Sequence, residues 1–347
     1  MLTPPLPCRP PFWARGGHAQ TLLGNLLPSR WVAVPWERLN LKLPDGDSLR
    51  IRMVRGETKV VVYLFHGLGG SADSPYIRRA AGLFWQQGHS VLVINHRGAG
   101  EGQLLAEHPY HLGSSSDLAA LIQVGHGFFP EHLHVAIGFS LSATALLLLL
   151  GRDRHLGLAQ PDRAIAVNPL VDLGSSSHRL AAGFNRIYDH HLLNVALDSL
   201  RERKAYGLLG EGFQVPNCRS LRDLDGAYTA QAAGFRDRAD YYEQCSCGPY
   251  LQRIRTPTVV LGSADDPLCS GWELRDHEPS PSVHLHLEPS GGHLGYLGLG
   301  VPGYRWLDYA LNHYVKALIQ APTVLVPPEF EGQGRETQTA FLVVEKV

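Results

Sequence analysis

The sequence predicts an α/β fold in which a mostly parallel sheet is covered by helices on both faces. Three observations indicate it: short apolar runs that end at Gly, Asn or Asp, helical patterns that follow them, and one long interruption of this rhythm between Asp172 and Arg253. Strands that alternate with helices favour parallel pairing, because the crossover helix packs on the sheet. At 347 residues, 44% of them hydrophobic, the chain can bury a large core.

The first predicted element is a hairpin, formed by residues 38–43 and 48–54. Both runs alternate polar and apolar residues around the turn PDGD at 44–47, which is typical of an antiparallel edge of a sheet. The core strands are expected in the apolar runs that follow. These runs are residues 59–65, 90–95, 132–139, 164–168, 258–262 and 283–287.

The interruption predicts a cap inserted into a single α/β domain of residues 1–321. We place the cap at about residues 173–252, with a helical pattern at 194–209. A final helix is expected after Tyr304, through about Ile319. Residues 322–347 contain prolines and form a tail for which no order is predicted.

Composition excludes several classes of partner and location. The net charge is −1, from 31 basic and 32 acidic residues without a long run of one sign, so we expect neither nucleic acid nor an anionic membrane surface as partner. A small molecule is expected instead. The five cysteines are odd in number and lack metal or redox spacing, which favours a reducing cytoplasm.

No segment of the sequence predicts export or a stable membrane anchor. The N-terminal residues lack an apolar core of signal-peptide length, and the most apolar stretch, at 135–150, is shorter than the ~20 residues a membrane span needs. That stretch contains the pentapeptide GFSLS at 138–142, placed between a predicted strand and a strong helix former. We therefore expect a cytoplasmic protein.

Ser140 is the candidate nucleophile. Hydrolases of this class carry Gly-x-Ser-x-Gly at a strained turn that exposes the serine oxygen, and here Ser142 replaces the last glycine. Position 142 must be small because two backbones approach there, and we expect its hydroxyl to bond a carbonyl one turn back. The competing interpretation is that Ser140 is an ordinary helix N-cap.

An acid and a histidine follow Ser140 in the chain order that the α/β-hydrolase mechanism requires. DDP at 265–267 comes directly after a predicted strand, and His293 lies in a glycine-rich loop. Adjacent residues point apart, so one aspartate faces the histidine. We predict Asp265, since Pro267 holds Asp266 extended, and Asp266 is the alternative.

The oxyanion of acyl transfer needs two backbone N–H donors. Leu141 follows the nucleophile and supplies one, and Leu68, in the glycine-rich stretch after the first core strand, supplies the other. No phosphate or dinucleotide motif is present, so no cofactor is expected. The strand histidines 284 and 286 and the cap residues 189–191 do not form a convincing ligand set, and no metal is expected.

Taken together, these motifs resemble those of the YheT-like branch of the α/β-hydrolases, which also contains the abhydrolase-domain proteins one to three. The matching segments are GHAQT at 17–21, HGLGGS at 66–71, SPYIR at 74–78, NHRG at 95–98, YHLG at 110–113, Asp117, YT at 228–229, GF at 234–235, DYY at 240–242, DDP at 265–267 and GGH at 291–293. The resemblance implies the α/β-hydrolase fold, a triad of Ser140, Asp265 and His293, and hydrolysis of carboxylic (acyl) esters by a serine esterase.

The sequence departs from this family in three respects: Ser142 replaces glycine, GEG at 100–102 departs from the usual pattern, and no membrane anchor like that of the animal relatives is expected. Two other functions stay open, a non-catalytic binding protein of the same fold and an acyltransferase that uses the same triad. The cap aromatics 184, 188, 235, 241 and 242 are expected to line an acyl pocket. The sequence gives His18 no evident role.

Overall fold

The computed structural model describes residues 2–321 and 343–346. Within these residues one sheet of nine strands runs through the molecule in the order β8-β7-β6-β5-β3-β4-β2-β1-β9. The strands are β1 Glu37–Lys42, β2 Ser48–Val54, β3 Val60–Phe65, β4 Ser90–Asn95, β5 Leu133–Phe139, β6 Arg163–Val167, β7 Thr258–Ser263, β8 Val283–Glu288 and β9 Val344–Lys346.

The strands from β3 to β8 pair in parallel, as the alternation of strands and helices predicts. Every residue of β3, β4, β6 and β7 is buried, because helices cover both faces of this part of the sheet. The hairpin is confirmed: β1 and β2 pair antiparallel, with Glu37 opposite Met53 and Lys42 opposite Ser48, and β2 is antiparallel to β4.

The predicted tail lies mostly outside the described residues, which omit 322–342 and 347. Of its described part, β9 adds to the sheet edge beside β1, with Leu41 opposite Val344. This short strand pairs backbone groups of β1 that would otherwise form an open edge.

Helices cover the two faces of the sheet in separate layers. The helices are α1 Gly17–Leu26, α2 Pro75–Gln86, α3 Ser115–Phe128, α4 Leu141–Leu150, α5 Leu173–Leu180, α6 Arg186–Ala205, α7 Leu221–Leu224, α8 Ala230–Ala232, α9 Arg238–Cys245 and α10 Trp306–Gln320. Helices α2 and α10 pack on one face, and α3 and α4 pack on the other. All ten residues of α4 are buried, because this helix lies between the sheet and the helices α3 and α9.

Helices α5 to α9 lie between β6 and β7, in the predicted interruption. Helix α6 spans Arg186–Ala205, so the predicted bounds of 194–209 are wrong at both ends. The helix ends early because Gly207 adopts a left-handed φ of 73° and the Leu208 N–H bonds the Arg203 carbonyl at 3.0 Å. Leucines of α6 and α7 form an apolar cluster of their own within this region: Leu193, Leu197, Leu200 and Leu224.

None of the helices in the described part of the chain is long and apolar enough to cross a membrane.

Candidate active site

Ser140 lies on a sharp turn between β5 and α4. Its backbone has φ 54° and ψ −119°, a strained conformation for a residue with a side chain, and its N–H bonds the Val167 carbonyl at 2.8 Å. Gly138 is required on this turn, because a Cβ there would lie 2.6 Å from the carbonyl oxygen of Ser142. Ser140 occupies the N-cap position of α4, but its side chain makes no capping hydrogen bond, so it does not act as an ordinary N-cap.

A continuous hydrogen-bonded chain runs from Ser140 through His293 to a carboxylate. The Oγ atom of Ser140 lies 2.8 Å from Nε2 of His293, and Nδ1 of His293 lies 2.8 Å from Oδ2 of Asp266. The exposed fraction of the side chain is 9% for His293 and 0% for Asp266. The structure therefore brings a hydroxyl, an imidazole and a buried carboxylate into line.

The expectation that Asp265 faces His293 is wrong. Adjacent residues do point apart here, but the Asp265 carboxylate points to the loop that carries the histidine, where its Oδ1 accepts the N–H groups of Gly291 and Gly292, both at 2.9 Å. Its other oxygen accepts the hydroxyl of Ser290 at 2.8 Å. Asp265 thus holds the backbone of the loop, and the alternative, Asp266, holds the imidazole.

Asp266 is fully surrounded by groups that favour its charged form. Its carboxylate accepts hydrogen bonds from Asn168 Nδ2 at 2.6 Å, from the Leu268 N–H at 2.8 Å and from the Cys269 N–H at 3.2 Å. Burial opposes ionisation, but the adjacent His293 and these donors outweigh it and hold the pKa of Asp266 below its ordinary value. The site therefore keeps an aspartate anion beside the imidazole.

Helix α1 fastens the histidine loop from outside, which gives the GHAQT segment a structural role. The hydroxyl of Thr21 accepts the His293 N–H at 2.9 Å, and the buried amide of Gln20 bonds both backbone groups of Leu297, at 2.6 and 3.1 Å. Gly17 packs so closely on Asp265 that a Cβ would lie 1.7 Å from its carbonyl oxygen. Sequence reasoning matched this segment without assigning it a task.

The two expected oxyanion donors border the same space as Ser140. Leu68 and Leu141 both line the cavity that Ser140 and His293 line. No hydrogen bond from either N–H to a protein acceptor occurs among the described residues. The segment at residues 66–70, which we call the β3 loop, passes close to the nucleophile, because a Cβ on Gly67 would lie 2.9 Å from Cβ of Ser140.

Ser142 does not bond a carbonyl one turn back, so that expectation is wrong. Its hydroxyl instead crosses to the β3 loop and donates to the His66 carbonyl at 2.5 Å. The reason is tertiary: β5 pairs with β3 up to Gly138 opposite Phe65, so the first turn of α4 starts beside the residues that follow β3. His96 and Tyr110 contact the same hydroxyl, at 2.9 and 2.6 Å; sequence reasoning matched the segments that carry them, NHRG and YHLG, without assigning either residue a role.

A cavity of about 450 Å³ lies between the sheet and helices α5 to α9. Of the aromatics expected to line it, Tyr241 and Tyr242 do so, whereas Phe184, Tyr188 and Phe235 are not among its lining residues. Aliphatic side chains form much of the wall instead. They include Leu68, Leu141, Leu170, Leu173, Leu180, Leu192, Val195, Ala196, Leu200, Leu221, Leu224 and Leu268.

His18 packs at the junction of α1 and α6. Its Nδ1 lies 3.1 Å from the hydroxyl of Tyr188, on which its ring stacks, and its edge meets Phe184. These contacts explain why the two aromatics lie outside the cavity wall. They join α1, which fastens the histidine loop, to the inserted helices.

Two groups of side chains in the described residues could approach a common metal ion. One is Asp266, Cys269 and His293: the first and last belong to the hydrogen-bonded chain described above, and the thiol of Cys269 lies 3.2 Å from Oδ2 of Asp266. The other is Asp45, Asp47 and His108, whose two carboxylates already pair with Arg97. Of the histidines considered as ligands from sequence, His286 bonds Tyr314 and Glu288.

Comparisons with known proteins agree with this architecture. The family described as alpha/beta hydrolase fold matches residues 60–298. The chain is 31% identical over 315 residues to YheT of Escherichia coli (strain K12), covering 88% of this chain and 91% of that protein. It is 25% identical over 326 residues to mouse phospholipase ABHD3, covering 90% of this chain and 78% of the relative.

The fold is also similar to that of a solved structure, the esterase Pf2001 of Pyrococcus furiosus. The TM-score is 0.54 at 14% identity, and the match covers 84% of this chain and 94% of the other. The order of the strands, the turn at Ser140 and the identity to YheT lead to one conclusion. The chain belongs to the α/β-hydrolase fold family, in its YheT-like branch.

Proposed function

We propose that this chain is a serine hydrolase that cleaves carboxylic esters, with Ser140 as nucleophile, His293 as general base and Asp266 as the orienting acid. One observation carries the proposal. The strained turn aims Ser140 at His293 Nε2, at 2.8 Å, and the opposite nitrogen of that ring is 2.8 Å from a buried carboxylate. This is the geometry that makes a hydroxyl nucleophilic.

In the first half of the reaction, Ser140 Oγ bonds the ester carbonyl carbon while His293 Nε2 takes the hydroxyl proton. The carbonyl electron pair moves onto oxygen, and the N–H groups of Leu68 and Leu141 hold the resulting anion. When the anion collapses, the bond to the leaving alcohol breaks, and His293 returns the proton to the alcohol oxygen. The product of this half is an acyl-enzyme at Ser140.

In the second half, water takes the place of the serine as nucleophile, and Ser140 becomes the leaving group. His293 takes a proton from water as the water oxygen bonds the acyl carbon, and the anion is held by the same two donors. Collapse breaks the bond to Ser140 Oγ, which receives the proton from His293, and the carboxylic acid leaves. The protein ends in its starting protonation state.

Asp266 serves both halves without exchanging a proton. Its carboxylate fixes the tautomer in which His293 carries hydrogen on Nδ1, which leaves Nε2 free to accept. The anion also stabilises the imidazolium that forms during each half. A pKa held below the ordinary aspartate value keeps that anion present at neutral pH.

The cavity wall supports an apolar acyl group as the part of the substrate that binds. Leucine side chains from the loops of the sheet and from α6 line the cavity of about 450 Å³, a volume in the range of small-molecule sites. One relative, mouse ABHD3, is a phospholipase, which also fits an apolar acyl group in the substrate. We further propose a reducing compartment, since all five cysteines are free thiols.

The test is labelling with a fluorophosphonate, which reacts with an activated serine, followed by turnover of p-nitrophenyl esters of rising chain length. We expect the wild type to be labelled and Ser140→Ala to be unlabelled, with a loss of kcat on the order of 10⁵ or more. Ser280→Ala is the matched control, because Ser280 is a buried serine near the opposite end of the strands.

Equal labelling of the wild type and Ser140→Ala would overturn the nucleophile assignment. An unlabelled wild type with no esterase activity would favour the non-catalytic binding protein instead.

A further inference from the structure

Ser142 stands where the hydrolase pattern has glycine, and it is fully buried at the start of α4. Its hydroxyl oxygen lies 2.5 Å from the His66 carbonyl oxygen, 2.6 Å from the Tyr110 hydroxyl and 2.9 Å from Nε2 of His96. The rings of His96 and Tyr110 stack with centroids 3.9 Å apart and an interplanar angle of 4°. The hydroxyl of Ser142 thus connects α4 to the β3 loop, to the residue after β4 and to the segment that contains Tyr110.

The hydrogen-bonding capacity of this hydroxyl is used completely. A serine has one hydrogen to donate and can accept two hydrogen bonds. The His66 carbonyl can only accept, and its nearer donor is Ser142, at 2.5 Å, while the Tyr110 hydroxyl lies 3.3 Å from it. Ser142 therefore donates to the carbonyl and accepts from the Tyr110 hydroxyl and from an Nε2–H of His96. In that tautomer the unpartnered Nδ1 of His96 carries a lone pair and not a buried N–H.

The His66 carbonyl is the first of several fixed points on the backbone that leads to Leu68. The next N–H, of Gly67, donates to the Tyr76 hydroxyl at 3.0 Å. The Gly67 carbonyl then accepts from Nδ1 of His66 at 2.9 Å and from the N–H of Gly70 at 3.1 Å. Because that carbonyl and the Leu68 N–H belong to one planar peptide, fixing the carbonyl also fixes the direction of the donor.

We propose that Ser142 is a positioning residue that holds the β3 loop so that the Leu68 N–H points at the oxyanion. This inference rests on the proposed function, since it assigns Leu68 the donor role. Ser142 acts through its bond to the His66 carbonyl and touches no reacting atom. The serine at this position therefore replaces glycine with a working hydroxyl, and not merely with another small residue.

Direct participation of Ser142 in the chemistry does not fit the contacts. Its one hydrogen is committed to His66, so it has none for the oxyanion or for an attacking water. Its two acceptor positions are taken by Tyr110 and His96. The hydroxyl contributes through the backbone that it holds.

Ser142→Ala should lower kcat by about 10- to 100-fold and leave KM within about threefold. The substitution leaves the His96 N–H without its acceptor in a fully buried place, and it leaves the Tyr110 hydroxyl, 3.3 Å away, as the donor to the His66 carbonyl. The carbonyl then loses its short bond to Ser142, and the β3 loop is expected to shift. A displacement of about 1 Å at a reacting geometry is enough for a loss of this size. A loss confined to kcat indicates that the transition state, and not substrate binding, has lost its support.

The experiment measures kcat, KM, the inhibition constant of a trifluoromethyl ketone and the thermal midpoint for the wild type, Ser142→Ala and Ser280→Ala. A trifluoromethyl ketone adds to a serine hydroxyl and carries its oxyanion, so its affinity should fall in parallel with kcat. Ser280 is a matched control: its hydroxyl is also buried and also donates to a backbone carbonyl, that of Ile254, at 2.5 Å. Ser280→Ala should lower the midpoint and leave kcat and the inhibition constant unchanged.

Tyr110→Phe is a second variant that keeps the test open if Ser142→Ala fails to fold. It removes one donor to Ser142 and retains the stacked ring, so a several-fold loss in kcat with unchanged KM is expected. Combined with Ser142→Ala it should lose less than the product of the two single losses, because both act on the same carbonyl.

The outcomes separate this inference from the proposed function. A labelled wild type with wild-type kcat and inhibition constant in Ser142→Ala would overturn the inference alone. So would a loss in Ser142→Ala that Ser280→Ala matches in kcat. A wild type that neither reacts with fluorophosphonate nor turns over esters would overturn both.

Discussion

His293 and Asp266, on one side of Ser140, are held mainly by backbone groups and by helix α1, whereas the β3 loop on the other side is held by buried side chains. We call the first the histidine side: residues 290–293, Asp265, Asp266, and the α1 residues that contact them. We call the second the oxyanion side: residues 66–70 with Tyr76, His96, Tyr110 and Ser142. The difference concerns which kind of group fixes each half of one site.

On the histidine side a carboxylate organises its surroundings. Asp265 gathers the N–H groups of Gly291 and Gly292, and Asp266 gathers those of Leu268 and Cys269. Charged acceptors make strong hydrogen bonds to backbone donors, so this half can be fixed by short loops at the surface of the sheet.

On the oxyanion side, neutral and more deeply buried side chains hold the backbone. His66 and His96 are fully buried, and burial lowers the pKa of His66 to about 4 and that of His96 well below its ordinary value. Both therefore stay neutral near pH 7 and can act as a donor on one nitrogen and an acceptor on the other. The hydrogen bonds of the oxyanion side therefore require His66 and His96 to be neutral, whereas those of the histidine side require Asp265 and Asp266 to accept hydrogen bonds.

The largest expected effect comes from the histidine side. Asp266→Asn should lower kcat by on the order of 10⁴-fold, because an amide no longer selects the productive tautomer of His293 or stabilises its charge. Asp265→Asn is the matched control, one residue away: it weakens the loop but leaves the Asp266 pair intact, and we expect kcat within about tenfold of wild type. Steady-state kinetics on one ester decides it, and the reverse ranking would restore Asp265 as the orienting acid.

The next effect separates the two sides by pH. The folded protein keeps His66 neutral down to about pH 4, while an unfolded histidine binds a proton near pH 6.5, so this contribution is complete above pH 6.5 and declines as pH falls towards 4. For His66 the free energy of unfolding should drop by about 2 kcal/mol between pH 7 and pH 5. His96 adds a loss of the same sign, and so do His111 and His134, whose pKa values burial also lowers to about 4.

The contribution of Asp266 should persist over that range, because its pKa lies below the ordinary carboxylate value and its stabilisation is lost only as pH falls through that lower pKa. Urea unfolding at pH 7, 6 and 5 measures the difference. A free energy of unfolding that is constant from pH 7 to pH 5 would contradict the view that the oxyanion side rests on neutral histidines.

The smallest effect concerns the link between α1 and the histidine side. Thr21→Val keeps the shape of the side chain and removes the acceptor of the His293 N–H, so we expect kcat to fall about fivefold with KM unchanged. Thr258→Val is the control, since that buried hydroxyl bonds the Thr256 carbonyl at the opposite end of β7. Equal kinetics for the two variants would show that backbone contacts alone hold the histidine.

Much of the fold followed from local pattern. The predicted runs identified the bounds of β3 to β8 to within one residue. Strands β3, β4, β6 and β7 were recognisable because a strand buried on both faces has to be largely apolar, and the edge strand β8 was recognisable by its alternating pattern. The bounds of α6 did not follow, because the residues at its start are polar and its end depends on the left-handed turn at Gly207. The contribution of β9 to the sheet edge could not be predicted either, since β9 pairs with β1, a strand that lies about 300 residues earlier in the chain.

In the candidate site, the sequence by itself determined which residue types stand at the strand ends and in which order: Ser140, then a pair of aspartates, then His293. It did not decide between Asp265 and Asp266, because two adjacent aspartates in a loop are chemically alike and differ only in where their carboxylates point. That direction is decided by what each carboxylate meets, here the glycine loop for one and His293 with Asn168 for the other.

Ser142 shows the same division at a single position. The pattern required a small residue there, and serine met that requirement. Only the tertiary structure placed a carbonyl of the β3 loop, His96 and Tyr110 within reach of its hydroxyl. Hydrogen bonds extend over about 3 Å, so their partners depend on which elements the fold brings side by side, whereas strand and helix patterns are written in the spacing of residues along the chain.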